Sequence, residues 1–361
     1  MKTKTLRLSL VALAAILVAT ACAPAATAEP QVVEVTRIVE GTPVVEQVVV
    51  TATPLPATKE PVFRIAIVMP STINDFGFSQ GMYEAVLKLQ GEMGGPDKLE
   101  IAYSESMFKV PDAAAAIRDY ASQGYNLVIA HGSQYGGSLA EIAPDFPEVS
   151  FAWGTTVDTF QSKGINNVFA YTVAAEEGGY VFGTLGALLS KSGSLAFCGP
   201  VEIGEAVQYL RGIKAGAEAA KPGTTVAAAY TGSFSDVALM AACGETQIAA
   251  GADVLYGTSQ SAVGVIGVAK EKGAYWFANQ WDQTSIGEDT VVANQVYDWS
   301  GPVGDMIAAH KAGVMGGKVY TLTLANEGLQ IVYNDKVTIP AEAKAAADAA
   351  VQGILDGTIK P

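Results

Sequence analysis

From Val62 onward, short and nearly continuous apolar runs alternate with segments of helical periodicity, and no other feature restricts the fold as strongly. VFRIAIVM (62–69) is apolar at almost every position, which marks a strand covered on both faces and hence a parallel sheet. A stripe of Met82, Val86 and Leu89 then predicts a helix from Phe78 to Met93. LEIAYS (99–104), NLVIA (126–130), EVSFAW (148–153) and NNVFAYT (166–172) continue the strands, and DAAAAIRDYASQG (112–124) is a helix closed by glycine. After a long apolar helix from Ala174 to Ser190 the pattern restarts. SLAFC (194–198), TTVAAAY (224–230), ADVLYG (252–257) and AYWFAN (274–279) read as strands, separated by helices near 205–220, 236–250 and 261–272. TVVANQVY (290–297), a helix at 301–312, two short strands and an Ala-rich helix from Ala341 to Asp356 finish the chain. The alternation predicts an α/β fold with two doubly wound parallel sheets. The length of 361 residues also exceeds one typical domain.

The N-terminus has a different character. Lys2, Lys4 and Arg7 precede an uncharged stretch from Leu8 to Ala21, too short for a membrane span of about 20 residues and suited to a secretory signal. It closes on Ala19-Thr20-Ala21-Cys22, which resembles a bacterial lipobox with Ala19 in place of the usual Leu. A lipoprotein signal over 1–22, with Cys22 lipidated, is therefore expected; ordinary cleavage near Ala21 or Ala28 is the alternative. Residues 23–61 are rich in Pro, Thr, Val and Glu and lack aromatic residues, as a tether does. A solvated coil of that length, spanning on the order of 35 Å, is the expected form, with a short hairpin or self-association through the β-prone clusters VVEV and VVEQVVV as the alternative.

Composition removes several functions. The net charge is −14, and −17 once Lys2, Lys4 and Arg7 are gone, with basic residues scattered singly, so no nucleic-acid partner is expected. His131 and His310 are the only histidines, which excludes a multi-His metal site and leaves few options for a hydrolytic triad. Neither a phosphate-binding Walker loop nor a dinucleotide glycine fingerprint occurs, and no cofactor is expected. Cys198 and Cys243 either pair in an oxidising compartment or sit apart as small buried residues.

Open parallel sheets bind ligands beyond the carboxyl ends of their strands. The loops there are PSTINDFGFSQ (70–80), HGSQYGG (131–137), WGTT (153–156), GPVEIG (199–204), TGSFSD (231–236) and NQWDQTS (279–285). They combine glycines, amides and carboxylates with Phe78, Trp153, Phe234 and Trp281, a set suited to a flat polar ligand.

Several blocks carry a resemblance to a known family. They are Asp75-Phe76-Gly77-Phe78-Ser79-Gln80-Gly81-Met82-Tyr83-Glu84, EEGGYVFGTLGALLSKSG (176–193), RGIKAGA (211–217), YTGSFSD (230–236), GADVLYG (251–257) and VGVIGVAKEKG (263–273). In this order they resemble the basic membrane protein family, substrate-binding lipoproteins of ABC importers, over Phe63 to Pro361. The resemblance implies a periplasmic-binding-protein type I fold with two doubly wound lobes, 62–170 plus 296–322 and 171–295 plus 323–361, joined by three crossovers. It implies a monomer outside the cytoplasm, lipid-anchored to the membrane, without catalytic residues, that delivers a small molecule to a membrane-embedded permease.

In such relatives a purine nucleoside is held with its base between aromatic rings. Phe78 and Phe234 match those rings, and Asp75 matches the acid that reads the base edge. Asn74, His131, Trp153, Gln280, Trp281 and Asp282 complete the expected ligand-binding set. Three positions depart: Ser79 replaces an Asn, Gln280 the ribose-binding Asp, and Tyr297 a Lys. Loss of that acid and that base points to a free purine base such as adenine over a nucleoside. Replacing Phe78 is expected to weaken binding with little effect on folding. Plainer roles exist for each residue: Phe78 as a core residue, Asp75 as a helix cap, His131 as a solvated loop residue, Trp153 and Trp281 as hinge packing. Glu202 reads as a loop charge, and Glu176 and Glu177 as the exposed start of a helix. The rival functions are a sugar-binding protein of the same fold, a nucleoside-acting enzyme and a ligand sensor.

Overall fold

A computed structural model describes residues 31–39, 42–50 and 61–361, which belong to two separate units, 1–60 and 61–361. The signal segment and Cys22 lie outside the described residues. In the first unit, β1 (Gln31–Val39) pairs antiparallel with β2 (Thr42–Val50), Gln31 opposite Val50 and Val39 opposite Thr42. The valine clusters explain this pairing, since β-branched residues favour the pleated chain. Over this stretch the coil-like tether is replaced by paired strands.

The second unit begins with β3 (Phe63–Val68), α1 (Phe78–Glu92), β4 (Leu99–Ser104), α2 (Val110–Ser122), β5 (Leu127–Ala130), α3 (Gly136–Ile142), β6 (Ser150–Gly154) and β7 (Val168–Val173). Next come α4 (Ala175–Leu189), β8 (Ser194–Gly199), α5 (Gly204–Ala220), β9 (Thr225–Tyr230), α6 (Val237–Ala249), β10 (Val254–Gly257), α7 (Ala262–Lys272), β11 (Tyr275–Gln280) and β12 (Val291–Tyr297). α8 (Ser300–Lys311), β13 (Val319–Leu322), β14 (Leu329–Tyr333) and α9 (Ala341–Leu355) close the chain. The first sheet has the order β13-β7-β6-β5-β3-β4 and is parallel throughout. The second has the order β14-β12-β11-β10-β8-β9, with only β14 antiparallel.

The chain passes between the sheets three times: after β7, after β12, and between β13 and β14. β7 stays in the first sheet through Val173 and β12 in the second through Tyr297, slightly beyond the boundaries expected at 170 and 295. One apolar cluster runs across both sheets, through Ile67, Phe169, Phe182, Phe197 and Phe277, and separate clusters fill the outer faces. Where α4 crosses α5, a Cβ on Gly183 would collide with the Ile213 carbonyl, and one on Gly212 with the Glu176 carbonyl. The glycines of EEGGYVFGTLG and RGIKAG thus let two helix backbones touch. Cys198 at the end of β8 is disulfide-bonded to Cys243 in α6, which settles the open choice between pairing and separate burial.

Helix α3 was not expected, because HGSQYGG reads as loop throughout. Gly136 opens that helix, and a side chain there would collide with the Trp153 indole. Among the described residues no helix is long and apolar enough to cross a membrane.

Candidate ligand-binding site

A cavity of about 500 Å³ opens at the carboxyl ends of both sheets. The first sheet contributes Pro70, Phe78, residues 132–134 and Thr155; the second contributes Pro200, Val201, residues 203–206, Phe234, residues 258–260 and Gln280. Phe78, Phe234 and Gln280 of the expected set therefore line one cavity.

Phe78 is 7% exposed and heads α1. His131 stacks on it, ring centroids 3.7 Å apart and planes 13° from parallel. The Phe78 carbonyl lies 2.8 Å from His131 Nε2 and can only accept, so Nε2 carries the proton. Nδ1 then accepts from the Tyr171 hydroxyl at 2.7 Å. Burial holds the His131 pKa down to about 3, against the pull of the Phe78 carbonyl, so the ring is neutral. His131 is buried and outside the cavity wall, where it backs the Phe78 ring instead of sitting solvated in a loop. Phe234 is 38% exposed, and its carbonyl accepts from Ser259 Oγ at 2.8 Å.

The other expected residues have local partners. Asp75 Oδ1 accepts from the Gly77 and Gln80 N–H groups at 2.9 and 3.1 Å, and Oδ2 from Ser79 N–H at 3.1 Å, so the carboxylate caps α1. Burial raises its pKa and these N–H groups oppose the rise. Asn74 is exposed and outside the cavity wall. The Trp153 ring stacks on Phe160 at 4.8 Å, and its Nε1 donates to the Ser133 carbonyl at 3.3 Å. Trp281 packs beside Gly81, and exposed Asp282 accepts from Thr284 N–H at 2.8 Å.

Glu205, in the first turn of α5, is the cavity residue that sequence reasoning missed. Its Oε1 accepts from Thr258 Oγ1 (3.2 Å), Asn279 Nδ2 (3.0 Å), Gln280 Nε2 (3.1 Å) and the Tyr297 hydroxyl (3.0 Å). Burial pushes its carboxyl above the usual range, and these four donors pull against that shift. Gln280 and Tyr297, the two departures near the expected ribose site, thus converge on one acid from helix α5. The available signal was adjacency, since Glu205 directly follows the GPVEIG loop.

Gly77-Phe78-Ser79-Gln80-Gly81 has the spacing of a nucleophile elbow, G-x-S-x-G. Ser79 is fully buried, however, and its Oγ accepts from Ser71 N–H at 3.1 Å, so it is not presented to the cavity.

Two wound sheets joined by three crossovers, with a cavity at their facing strand ends, define the periplasmic-binding-protein type I fold. The structure is similar to a solute-binding protein of an ABC transporter system from Conexibacter woesei, with a TM-score of 0.68 and 21% identity, covering 83% of this chain and 98% of that one. Residues 62–357 match the family described as ABC transporter substrate-binding protein, PnrA-like, and the chain belongs to that family. It is 27% identical over 243 residues to a purine-binding protein of Brucella abortus, covering 67% of each chain. It is 25% identical over 241 residues to basic membrane protein A2 of Borrelia garinii, covering 65% of this chain and 68% of that protein.

Proposed function

We propose that this substrate-binding protein captures a purine base such as adenine between Phe78 and Phe234 and passes it to an ABC permease. The observation that carries this reading is the placement of those two rings, from different sheets, on one cavity of about 500 Å³. That volume suits a small flat ligand, and stacking of a base on an aromatic ring contributes about 1–3 kcal/mol. Among the described residues no Lys, Arg or His lines the cavity, so a phosphorylated ligand would find no counter-charge there. The Brucella abortus relative is itself a purine-binding protein, which supports a purine. The Gln280 Nε2 and Tyr297 hydroxyl donors are already engaged by Glu205, which favours a base over a nucleoside.

In a displacement assay, adenine should compete at lower concentration than adenosine. Adenosine binding about tenfold tighter, roughly 1.4 kcal/mol, would return the function to nucleoside uptake. The site of action on this reading is outside the cytoplasm, with the protein held at the membrane by a lipid on Cys22. Cys22→Ser should then release it from the membrane fraction with adenine affinity unchanged, whereas equal membrane association of both forms rules the anchor out.

A further inference from the structure

We infer that Glu205 is the specificity-determining acid of this cavity, its Oε2 accepting an N–H donor of the bound base. This rests on the purine reading above. The four donors on Glu205 all meet Oε1; Oε2 has only Gln280 Nε2, at 3.4 Å. An ionised carboxylate offers about four acceptor positions, so one oxygen is saturated and the other has capacity left. Glu205 lines the cavity, and among the described residues no Lys, Arg or His shares that wall.

The surroundings hold this acceptor rigidly. Its donors come from the ends of β10, β11 and β12. Gln280 adopts φ +77°, a left-handed conformation unfavourable for a residue with a side chain, and its N–H donates to Asn279 Oδ1 at 2.9 Å. Because a carboxylate only accepts, Gln280 must present Nε2 to Glu205, which leaves its Oε1 buried without a donor. Gln260, also in the cavity wall, has a buried Oε1 in the same condition. Acceptors lacking donors, and no cation, call for a ligand rich in N–H groups and free of negative charge. An aminopurine, with an exocyclic amino group and a ring N–H, has that chemistry; a purine stripped of one of these donors has less of it.

Glu205→Gln tests the assignment sharply. The four donors would hold the new amide oxygen at the Oε1 position and turn its NH2 toward the ligand, donor against donor. Calorimetry with adenine, unsubstituted purine and 9-methyladenine should be run on the wild type and this variant. In the wild type, at least one of the two donor-deleted ligands should bind ten or more times more weakly than adenine. Glu205→Gln should weaken adenine at least tenfold, and that loss should shrink to threefold or less for the ligand lacking the donor that Glu205 reads. A folded variant within threefold of wild type for adenine, or one with equal losses for all three ligands, overturns the inference and leaves the purine function standing. If Glu205→Gln does not fold, the wild-type comparison decides: equal affinity for all three ligands overturns the inference. No binding of any of the three by the wild type overturns both readings.

Discussion

Phe78→Ala should lower folding stability by about 3–5 kcal/mol, the usual range for truncating a buried Phe, and also weaken purine binding by about 1–3 kcal/mol. The binding loss corresponds to roughly 5- to 150-fold. Sequence reasoning expected little effect on folding, but Phe78 is almost wholly buried and stacked on His131. Phe234→Ala removes the more exposed ring and should lose binding alone, while Phe78→Leu keeps most of the buried volume but no aromatic face. Urea unfolding and calorimetry on the three variants separate packing from stacking. If Phe78→Ala unfolds like the wild type and binds adenine with unchanged affinity, the placement of Phe78 in both core and cavity wall is wrong.

The second large effect is acid sensitivity centred on His131. Its folded pKa is about 3, below an ordinary unfolded value of about 6.5. Between these values the unfolded chain binds a proton that the folded chain refuses, so stability falls as pH drops, by about 1.4 kcal/mol per pH unit. Half-buried His310, also lowered by burial, adds to the same trend. Asp75 and Glu205, raised by burial, act oppositely once the pH nears the carboxylate range, so the His131 slope is cleanest from pH 6.5 to 5. Urea unfolding across that interval should show the slope in the wild type and a flatter one in His131→Gln. An imidazole NMR titration of His131 with a midpoint near 6.5 in the folded protein would refute it.

Much of the fold was legible because its signals are local. A buried parallel strand must be apolar on both faces, so VFRIAIVM and ADVLYG announce themselves, and β3 and β10 lie where those runs do. That Phe78 and Phe234 line one cavity was legible for the same reason, since both follow strand ends and pockets in such sheets gather there. The remaining candidates divided according to neighbours that lie far away in sequence. Trp153 could not be assigned without knowing that Gly136 leaves a gap for its ring, nor Cys198 without knowing that α6 brings Cys243 to it. Asp75 carried two readings at once, because a carboxylate before a helix can accept from the helix N–H groups or from a ligand, and the distances show two N–H groups of α1 and that of the preceding Gly77 on it.

By itself, the sequence determined the two βα series and the placement of Phe78 and Phe234 in loops beyond strand ends. Those properties follow from residue type and short-range spacing. Only the tertiary structure decided that Glu205, Gln280 and Tyr297 form one cluster, that His131 supports Phe78 from behind, and that Glu205 lines the cavity. Hydrogen bonding and burial depend on what the crossovers bring within about 3 Å, and spacings of 75 and 92 residues between Glu205 and its partners leave no periodic trace in the chain.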